Sequence, residues 1–387
     1  MSFAETHPWI TFQADLSRLS PSSWMALGEI RSKVDHLSRA LLAAGIAREL
    51  HDIYLAKGVL ATTAIEGNTL SEAQVVSLLK GDLVVPKSQE YLLREVQNII
   101  DACNGFVLDL GSGGARDLTP TLFADLNRAV LAELEVGEGV EPGEIPTWTP
   151  VVGNYKAVER RDVAALLERL CEWINADLGL QQVPDDWSIP LTVLKAIYAH
   201  LYFAWIHPYG DGNGRTARLI EVRLLLAAGV PTPAAHLLSN HYNATRTEYY
   251  RRLDEASRKR DAIGFVEYAI QGLVDGLTEQ VNRIWGHQYA EAWRQFVYRS
   301  FEGSTSTSAP RRMALVLAIS DLYEPVPIRD IARLTPELAL AYAHMTKKAV
   351  TRDVNALVAQ GLLRRVEDAL EPAREQVQWL RARIVGP

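Results

Sequence analysis

The architecture of this chain turns on His207-Pro-Tyr-Gly-Asp-Gly-Asn-Gly-Arg215, which continues as Thr-Ala-Arg218. Before it, Leu191 to Ile206 is apolar on nearly every side except at Lys195 and His200, the pattern of a buried helix. After it, Thr216 to Ala228 is rich in Leu, Ile and Val and is closed by Gly229 and Pro231, a helix stop. The stretch is therefore a short loop between two core helices, with Gly210, Gly212 and Gly214 at alternate positions.

Glycine lets a ligand approach the backbone closely. Successive N–H groups then converge on an anion, and the positive end of the following helix points the same way. Arg215 and Arg218 lie one turn apart on one face of that helix. Cations at a helix N-terminus oppose the macrodipole, so two of them there imply a polyanionic ligand. Asp211 sits inside this positive cradle, where Mg²⁺ bridging phosphates gives it a purpose. His207 supplies a base with an ordinary pKa of about 6.5, suited to taking a proton from a hydroxyl. Together these groups spell phosphate-ester chemistry. A Gly-rich turn alone reads as an ordinary surface turn with a solvated charge pair. The ordered nine-residue set is more specific.

That set resembles the signature of Fic-domain proteins, His-Pro-Phe-x-Asp-Gly-Asn-Gly-Arg-x-x-Arg, with Tyr209 in place of the usual Phe. A second segment supports the resemblance. Thr62-Thr-Ala-Ile-Glu66-Gly67-Asn68 is similar to the family's inhibitory motif, with Thr62, Glu66 and Gly67 on its fixed positions. Taken alone, Glu66 reads as a solvated helical glutamate ahead of a Gly-Asn stop. The resemblance implies that it pairs with Arg218, a strong charge-assisted contact, and so occupies the group meant for the outer phosphate. It also implies the class with a built-in N-terminal inhibitory helix.

The bulk numbers are ordinary. The chain has 387 residues, 48% hydrophobic and 22% charged, with a net charge of −7, and nothing global marks a nucleic-acid binder. Cys103 and Cys171 are too few for a disulfide framework, which favours a reducing cytoplasm. The N-terminus lacks a secretion signal, and Leu191–Ile206 is too short for a membrane span.

In chain order, an irregular lead-in over 1–20 carries Trp9, Ile10 and Phe12 to pack on the body. Helical spacing runs from about Trp24 to Leu60 with a break at Gly45, then over Ser71–Gly81, Glu90–Leu108, from Thr119 onward, and over Asp162–Leu178. Gly137–Val158, with its prolines and β-formers, predicts a hairpin. The resemblance makes it the flap that holds a target segment, with Thr147, Trp148, Val151 and Val152 as contacts, although Pro146 stands where the family often has arginine. Tyr249 and Tyr250 match an adenine-pocket position, where stacking on a base competes with plain core packing. Ser257 stands where some relatives have an Asn. A long helix is expected over Ile263–Phe301.

Gly303–Pro310 reads as a linker. Three helices (Arg311–Ser320, Ile328–Leu334, Thr346–Gln360) and strands at Leu362–Val366 and Gln376–Leu380, with a turn at Glu371-Pro372, suggest a winged helix-turn-helix. From Arg311 onward there are 12 Lys and Arg against 9 Asp and Glu, so DNA binding competes with a dimerisation or protein-docking role.

The expected fold is mainly α. An N-terminal helical region (1–90) carries the motif at 62–67, a catalytic core with a β-hairpin flap spans 91–302, a linker 303–310, and a winged helix 311–387. The resemblance implies protein adenylylation without membrane involvement. His207 takes the proton of a target's Ser, Thr or Tyr hydroxyl, which attacks ATP. Mg²⁺ sits on Asp211, Gly212, Asn213 and Gly214 steady the charge, and Arg215 and Arg218 hold the outer phosphates. Three other readings stand beside it: removal of AMP, transfer of another nucleotide, and a DNA-binding regulator with the core as sensor. The target, which includes the chain itself, and a homodimer are left open.

Overall fold

The computed structural model describes residues 3–377 except 84, 115, 154, 182 and 323. The chain divides into two compact units that meet between Asn282 and Arg283.

The first unit is helical. It opens with α1 (Phe3–Thr6), α2 (Pro21–Arg39) and α3 (Ala44–Ala64). Ser20 caps α2 by accepting from Ser23 N, and Pro21 takes the first helical position. The break falls at 40–43, so Gly45 lies inside the first turn of α3 rather than at the break. Then come α4 (Glu72–Leu79), α5 (Glu90–Gly111) and α6 (Pro120–Leu131). Ser71 and Gln74 form a reciprocal capping box on α4, and Thr119 caps α6.

The expected hairpin is narrower than its sequence window. Among its described residues only β1 (Val151–Val152) and β2 (Tyr155–Lys156) pair, antiparallel, with Val151 opposite Lys156 and Val152 opposite Tyr155. Residues 141–150 are turns, since their three prolines cannot donate to a ladder. The chain continues through α7 (Arg160–Asn175), α8 (Ser188–Ile206), α9 (Asn213–Ala227), α10 (Thr232–Ala235), α11 (Leu237–Ala244) and α12 (Arg246–Arg258). Helix α13 (Ile263–Phe301) crosses the unit boundary.

Helix α8 is the centre of the first core. Leu194, Ile197, Leu201 and Phe203 are 0% exposed, each worth about 1.5–3 kcal/mol of burial. It packs most extensively on α9. Helix α8 starts three residues before the expected Leu191, so contrary to expectation it is, among the described residues, the one helix long and apolar enough to cross a membrane, and here most of it is covered by protein.

The second unit holds α14 (Ala309–Ser320), β3 (Val326–Pro327), α15 (Pro336–Tyr342), α16 (Lys347–Ala359), β4 (Leu363–Val366) and β5 (Ala369–Pro372). Its antiparallel sheet runs in the order β3, β5, β4. The elements run helix, strand, two helices and two strands, and three expected details differ. The second strand of the terminal hairpin is Ala369–Pro372. It turns at Glu367, whose φ of 54° is left-handed, and Glu371-Pro372 lies in the strand. Gln376 and Val377 end a 3₁₀ turn, and the rest of the strand expected at 376–380 lies outside the described residues. The middle helix is α15, not 328–334, because Thr335 accepts from Leu338 N and Pro336 opens the helix. The unit also begins some twenty residues before the expected linker: Trp293 and Val297 of α13 are buried in its core with Leu315, Ile319 and Leu357. Asp353 on α16 is fully buried and ion-paired to Arg311 at 2.7 Å and to Arg312 at 2.8 Å. Lys347, Lys348 and Arg352 stay exposed.

Candidate functional site

Helix α8 ends at His207, whose left-handed backbone (φ 50°, ψ 60°) turns the chain out of the helix while its N–H still bonds Phe203 O at 2.9 Å. Five residues later Gly212 (φ 76°) is the N-cap of α9. A Cβ there would lie 2.9 Å from Asn127 Nδ2, so the position demands glycine on both counts. Gly212 offers no side-chain cap. The first N–H groups of α9 therefore have no partner within the helix and can serve as an anion cradle.

The loop between them is held from three sides. Tyr209 is 2% exposed and faces Phe203, anchoring the loop in the core. Asn213 Nδ2 donates to Tyr209 O at 2.7 Å and its Oδ1 accepts from Tyr209 N at 3.0 Å. The Asn213 side chain thus staples the loop. Asn127 on α6 is 0% exposed. It donates to Asp211 O at 2.8 Å and accepts from Gly143 N at 2.8 Å.

His207, Asn213, Gly214 and Arg218 line a cavity of about 360 Å³ together with Glu66, Val152, Tyr249, Tyr250 and Ser257. Burial pulls the His207 pKa down to about 4, against the opposing influence of the Ala204 backbone and the charges of Glu66 and Asp211. The imidazole is therefore a neutral base at neutral pH.

Glu66 lies just beyond the end of α3 and reaches Arg218. Its Oε1 is 2.6 Å from Arg218 Nη2, and the same guanidinium nitrogen donates to Thr62 O at 2.8 Å. The Thr62 hydroxyl turns back to Gly58 O at 3.0 Å, so Thr62 meets the arginine through its backbone. Burial works against the Glu66 charge, but Arg218 outweighs it and holds the carboxyl below its ordinary value. Gly214 makes room, since a Cβ there would sit 2.4 Å from Glu66 Oε1.

Arg215 and Asp211 do not line that cavity. They line a neighbouring concavity of about 740 Å³ with Glu95 of α5. Arg215 pairs with Glu95 at 3.0 Å and with Asp211 at 3.4 Å. Asp211 remains 49% exposed. Among the described residues no three His, Cys, Asp or Glu side chains gather to hold a metal by themselves. A lone accessible carboxylate beside a phosphate cradle fits Mg²⁺, which binds through one or two carboxylates plus substrate phosphates.

The two tyrosines divide. Tyr249 is 3% exposed and its hydroxyl lies 2.9 Å from His200 Nε2. His200 in turn faces Glu221 at 3.2 Å, and Tyr242 donates to Glu221 at 2.8 Å. Tyr250 is 44% exposed at the cavity wall. Of the flap residues, Val151, Val152 and Trp148 are exposed, as is Thr147. Val152 reaches the cavity. Tyr155 ties the flap to α8 by donating to Trp205 O at 2.5 Å.

Sequence reasoning missed Asn127, Glu95 and the His200–Glu221 pair. Each acts on a partner far along the chain, and no local pattern marks them. From sequence Asn68 reads only as part of a helix stop, and its place directly after Glu66-Gly67 is the one signal it carries.

A family model described as Fic/DOC family matches residues 117–225. The protein adenylyltransferase fic-1 of Caenorhabditis elegans is 30% identical over 243 residues, 62% of this chain and 43% of the relative. The protein adenylyltransferase Fic of Culex quinquefasciatus is 30% identical over 190 residues, 49% of this chain and 35% of the relative. The chain thus spans less than half the length of these curated relatives. Among solved structures, a Fic family protein from Desulfovibrio desulfuricans G20 is similar with a TM-score of 0.55 and 18% identity, covering 95% of both chains. Fic-1 from C. elegans is similar with a TM-score of 0.54 and 24% identity, covering 68% of this chain and 73% of that one. At these identities the structures speak for the fold.

Proposed function

On the premise that this chain carries a Fic/DOC family domain, we propose that it is a protein adenylyltransferase held in an inhibited state by Glu66. One observation carries the reading: a neutral histidine and a backbone anion cradle share a cavity with an arginine that a carboxylate from outside the loop has already claimed. The relatives named protein adenylyltransferase support it.

His207 accepts the proton of an acceptor hydroxyl on a target protein. The hydroxyl oxygen bonds to the α-phosphorus of ATP, the bond to the β-phosphate oxygen breaks, and pyrophosphate leaves. The N–H groups at the start of α9 take the developing negative charge. Arg215 and Arg218 hold the outer phosphates once their carboxylates release them, and Tyr250 stacks on the base. Asp211 would hold Mg²⁺, which supplies charge neutralisation on the phosphates. The exposed edge of β1, with Trp148, Val151 and Val152, pairs the target's segment beside His207. Cytoplasmic residence belongs to the same reading, supported by the free, buried thiols of Cys103 and Cys171.

The test is which phosphate stays on protein. The Glu66→Gly variant, given Mg²⁺ and ATP labelled at either the α- or the γ-position, retains α-label and loses γ-label. Retention of γ-label instead makes the protein a phosphotransferase and ends this reading. A second reading has one supporting observation: Glu66 shares its cavity with His207, which suits a carboxylate orienting water for removal of AMP. Release of AMP from a modified target by wild type, but not by Glu66→Gly, would favour it.

A further inference from the structure

Each arginine of the loop ends on a carboxylate. Arg218 meets Glu66 at 2.6 Å, and Arg215 meets Glu95 at 3.0 Å. The two carboxylates come from separate segments, which meet at Asn68. Asn68 follows Glu66 by two positions and is 6% exposed. Its amide nitrogen has two protons to give. One goes to Leu92 O at 2.9 Å and the other to Glu95 Oε2 at 2.8 Å, while its Oδ1 accepts from Leu70 N at 3.1 Å. Both oxygens of Glu95 are thereby engaged, Oε1 by Arg215 and Oε2 by Asn68. The Glu95 carboxylate cannot turn without losing one of them.

We propose that inhibition engages both arginines and that Asn68 is the link: Glu66 holds Arg218, Glu95 holds Arg215, and Asn68 locks Glu95 to the Glu66-Gly67 turn. This rests on the reading of the loop as a phosphate site and adds to it a second inhibitory contact. Among the described residues the Nε atoms of Arg215 and Arg218 are both buried without a hydrogen-bond partner. Buried donors of that kind are costly unless something fills them, and phosphate oxygens do. Arg215 already faces Glu95 and Asp211, so an arriving anion must compete with two carboxylates. Deleting Glu66 alone leaves half of the latch closed. When the turn moves and Asn68 lets go, Glu95 can swing into the concavity it lines, beside Lys87 and Arg94. One movement of the turn then frees both arginines.

Inorganic triphosphate is the probe, because it needs the arginines but neither a base nor an acceptor. It is titrated calorimetrically into the full chain carrying Glu66→Gly, then Glu66→Gly with Asn68→Ala, with Glu95→Asp, and with both. Asn68→Ala changes no charge, so simple electrostatics gives no gain. The latch gives tighter binding by roughly three- to tenfold, the scale of one hydrogen bond. Glu95→Asp keeps the charge but is one methylene short of Arg215. It gives the same tightening, and it decides the matter if Asn68→Ala fails to fold by thermal melting. The combined variant binds no tighter than the better single one. Unchanged or weaker binding in the folded variants, or gains that simply add, would overturn the proposal. Triphosphate binding is read without any transfer of AMP. Loss of the adenylylation reading with tightening intact leaves the latch standing, and adenylylation without tightening removes the latch alone.

Discussion

Glu66 and Arg218 are 152 residues apart in the chain, and their charged atoms are 2.6 Å apart in the fold. Arg218 is 1% exposed and Glu66 is 33% exposed. The arginine is thus the buried partner, and it depends on the glutamate for neutralisation. Removing one partner of a fully buried pair costs about 3–5 kcal/mol, and partial exposure of Glu66 reduces that to about 1–3 kcal/mol here. Glu66→Gly is therefore expected to be less stable than wild type as well as more active. Chemical denaturation of both forms measures it. ATP should return most of the loss to the variant, because the phosphates replace the missing carboxylate.

The pH profile follows from His207. Its folded pKa of about 4 lies below the ordinary value of 6.5. The unfolded chain therefore binds this proton first as pH falls, and the stability that a neutral His207 contributes is complete above the ordinary value and shrinks between the two. For catalysis the same shift keeps the base deprotonated. In the Glu66→Gly form, kcat/KM should stay flat from about pH 7 down to about pH 5.5, where an unshifted histidine would already be mostly protonated. A rate that halves near the ordinary histidine value would show that His207 is not the base, or that its burial is lost in the active form.

Tyr249 and Tyr250 are adjacent but serve different ends. Tyr249→Phe removes the hydroxyl that meets His200 at 2.9 Å and should cost about 1 kcal/mol of stability. Tyr250→Ala removes an exposed ring from the cavity wall. It should leave the melting temperature nearly unchanged and raise the KM for ATP by roughly tenfold, within the scale of one base–aromatic stack. Thermal melts and ATP titrations of the two variants, each in the Glu66→Gly background, separate the roles.

Asn127 ties the loop at Asp211 to the turn at Gly143 through two hydrogen bonds of 2.8 Å. Asn127→Ala strands a buried N–H and loosens the Asp211 carbonyl, and should cost about 2–3 kcal/mol. Activity should fall by more than the change in folded fraction explains, because the cradle and Asp211 lose their fixed spacing. Single-turnover labelling, corrected for the folded fraction, checks this.

Much of this was legible because the decisive residues are contiguous. Nine residues from His207 to Arg215 carry the proposed base, the Asp211 carboxylate and the glycine-rich helix start, and the apolar runs on both sides declared two core helices. Glu66 was legible through its motif. The rest depends on distance in space. Nothing near Glu95 in sequence says that it will face Arg215, and nothing near Asn127 says that it will reach Asp211. The stretch with Pro142, Pro146 and Pro150 looks like β-hairpin material, but proline lacks the N–H that a ladder requires, so among the described residues only Val151–Val152 and Tyr155–Lys156 pair. In the second unit a sharper reading of Thr335-Pro336-Glu337 as a helix start would have found α15. The core role of Trp293 and Val297 could not be seen, because a long uniform helix gives no sign of where its packing partner changes.

The central claim is that a competent transferase site is held closed by Glu66. Labelling with α-labelled ATP and Mg²⁺ tests it most directly when wild type, Glu66→Gly, and Glu66→Gly with His207→Ala are run side by side in the presence of cell lysate. Label on protein with Glu66→Gly, little with wild type and none with the double variant is the predicted pattern. Equal labelling by wild type and Glu66→Gly, or no label in any lane, would contradict it.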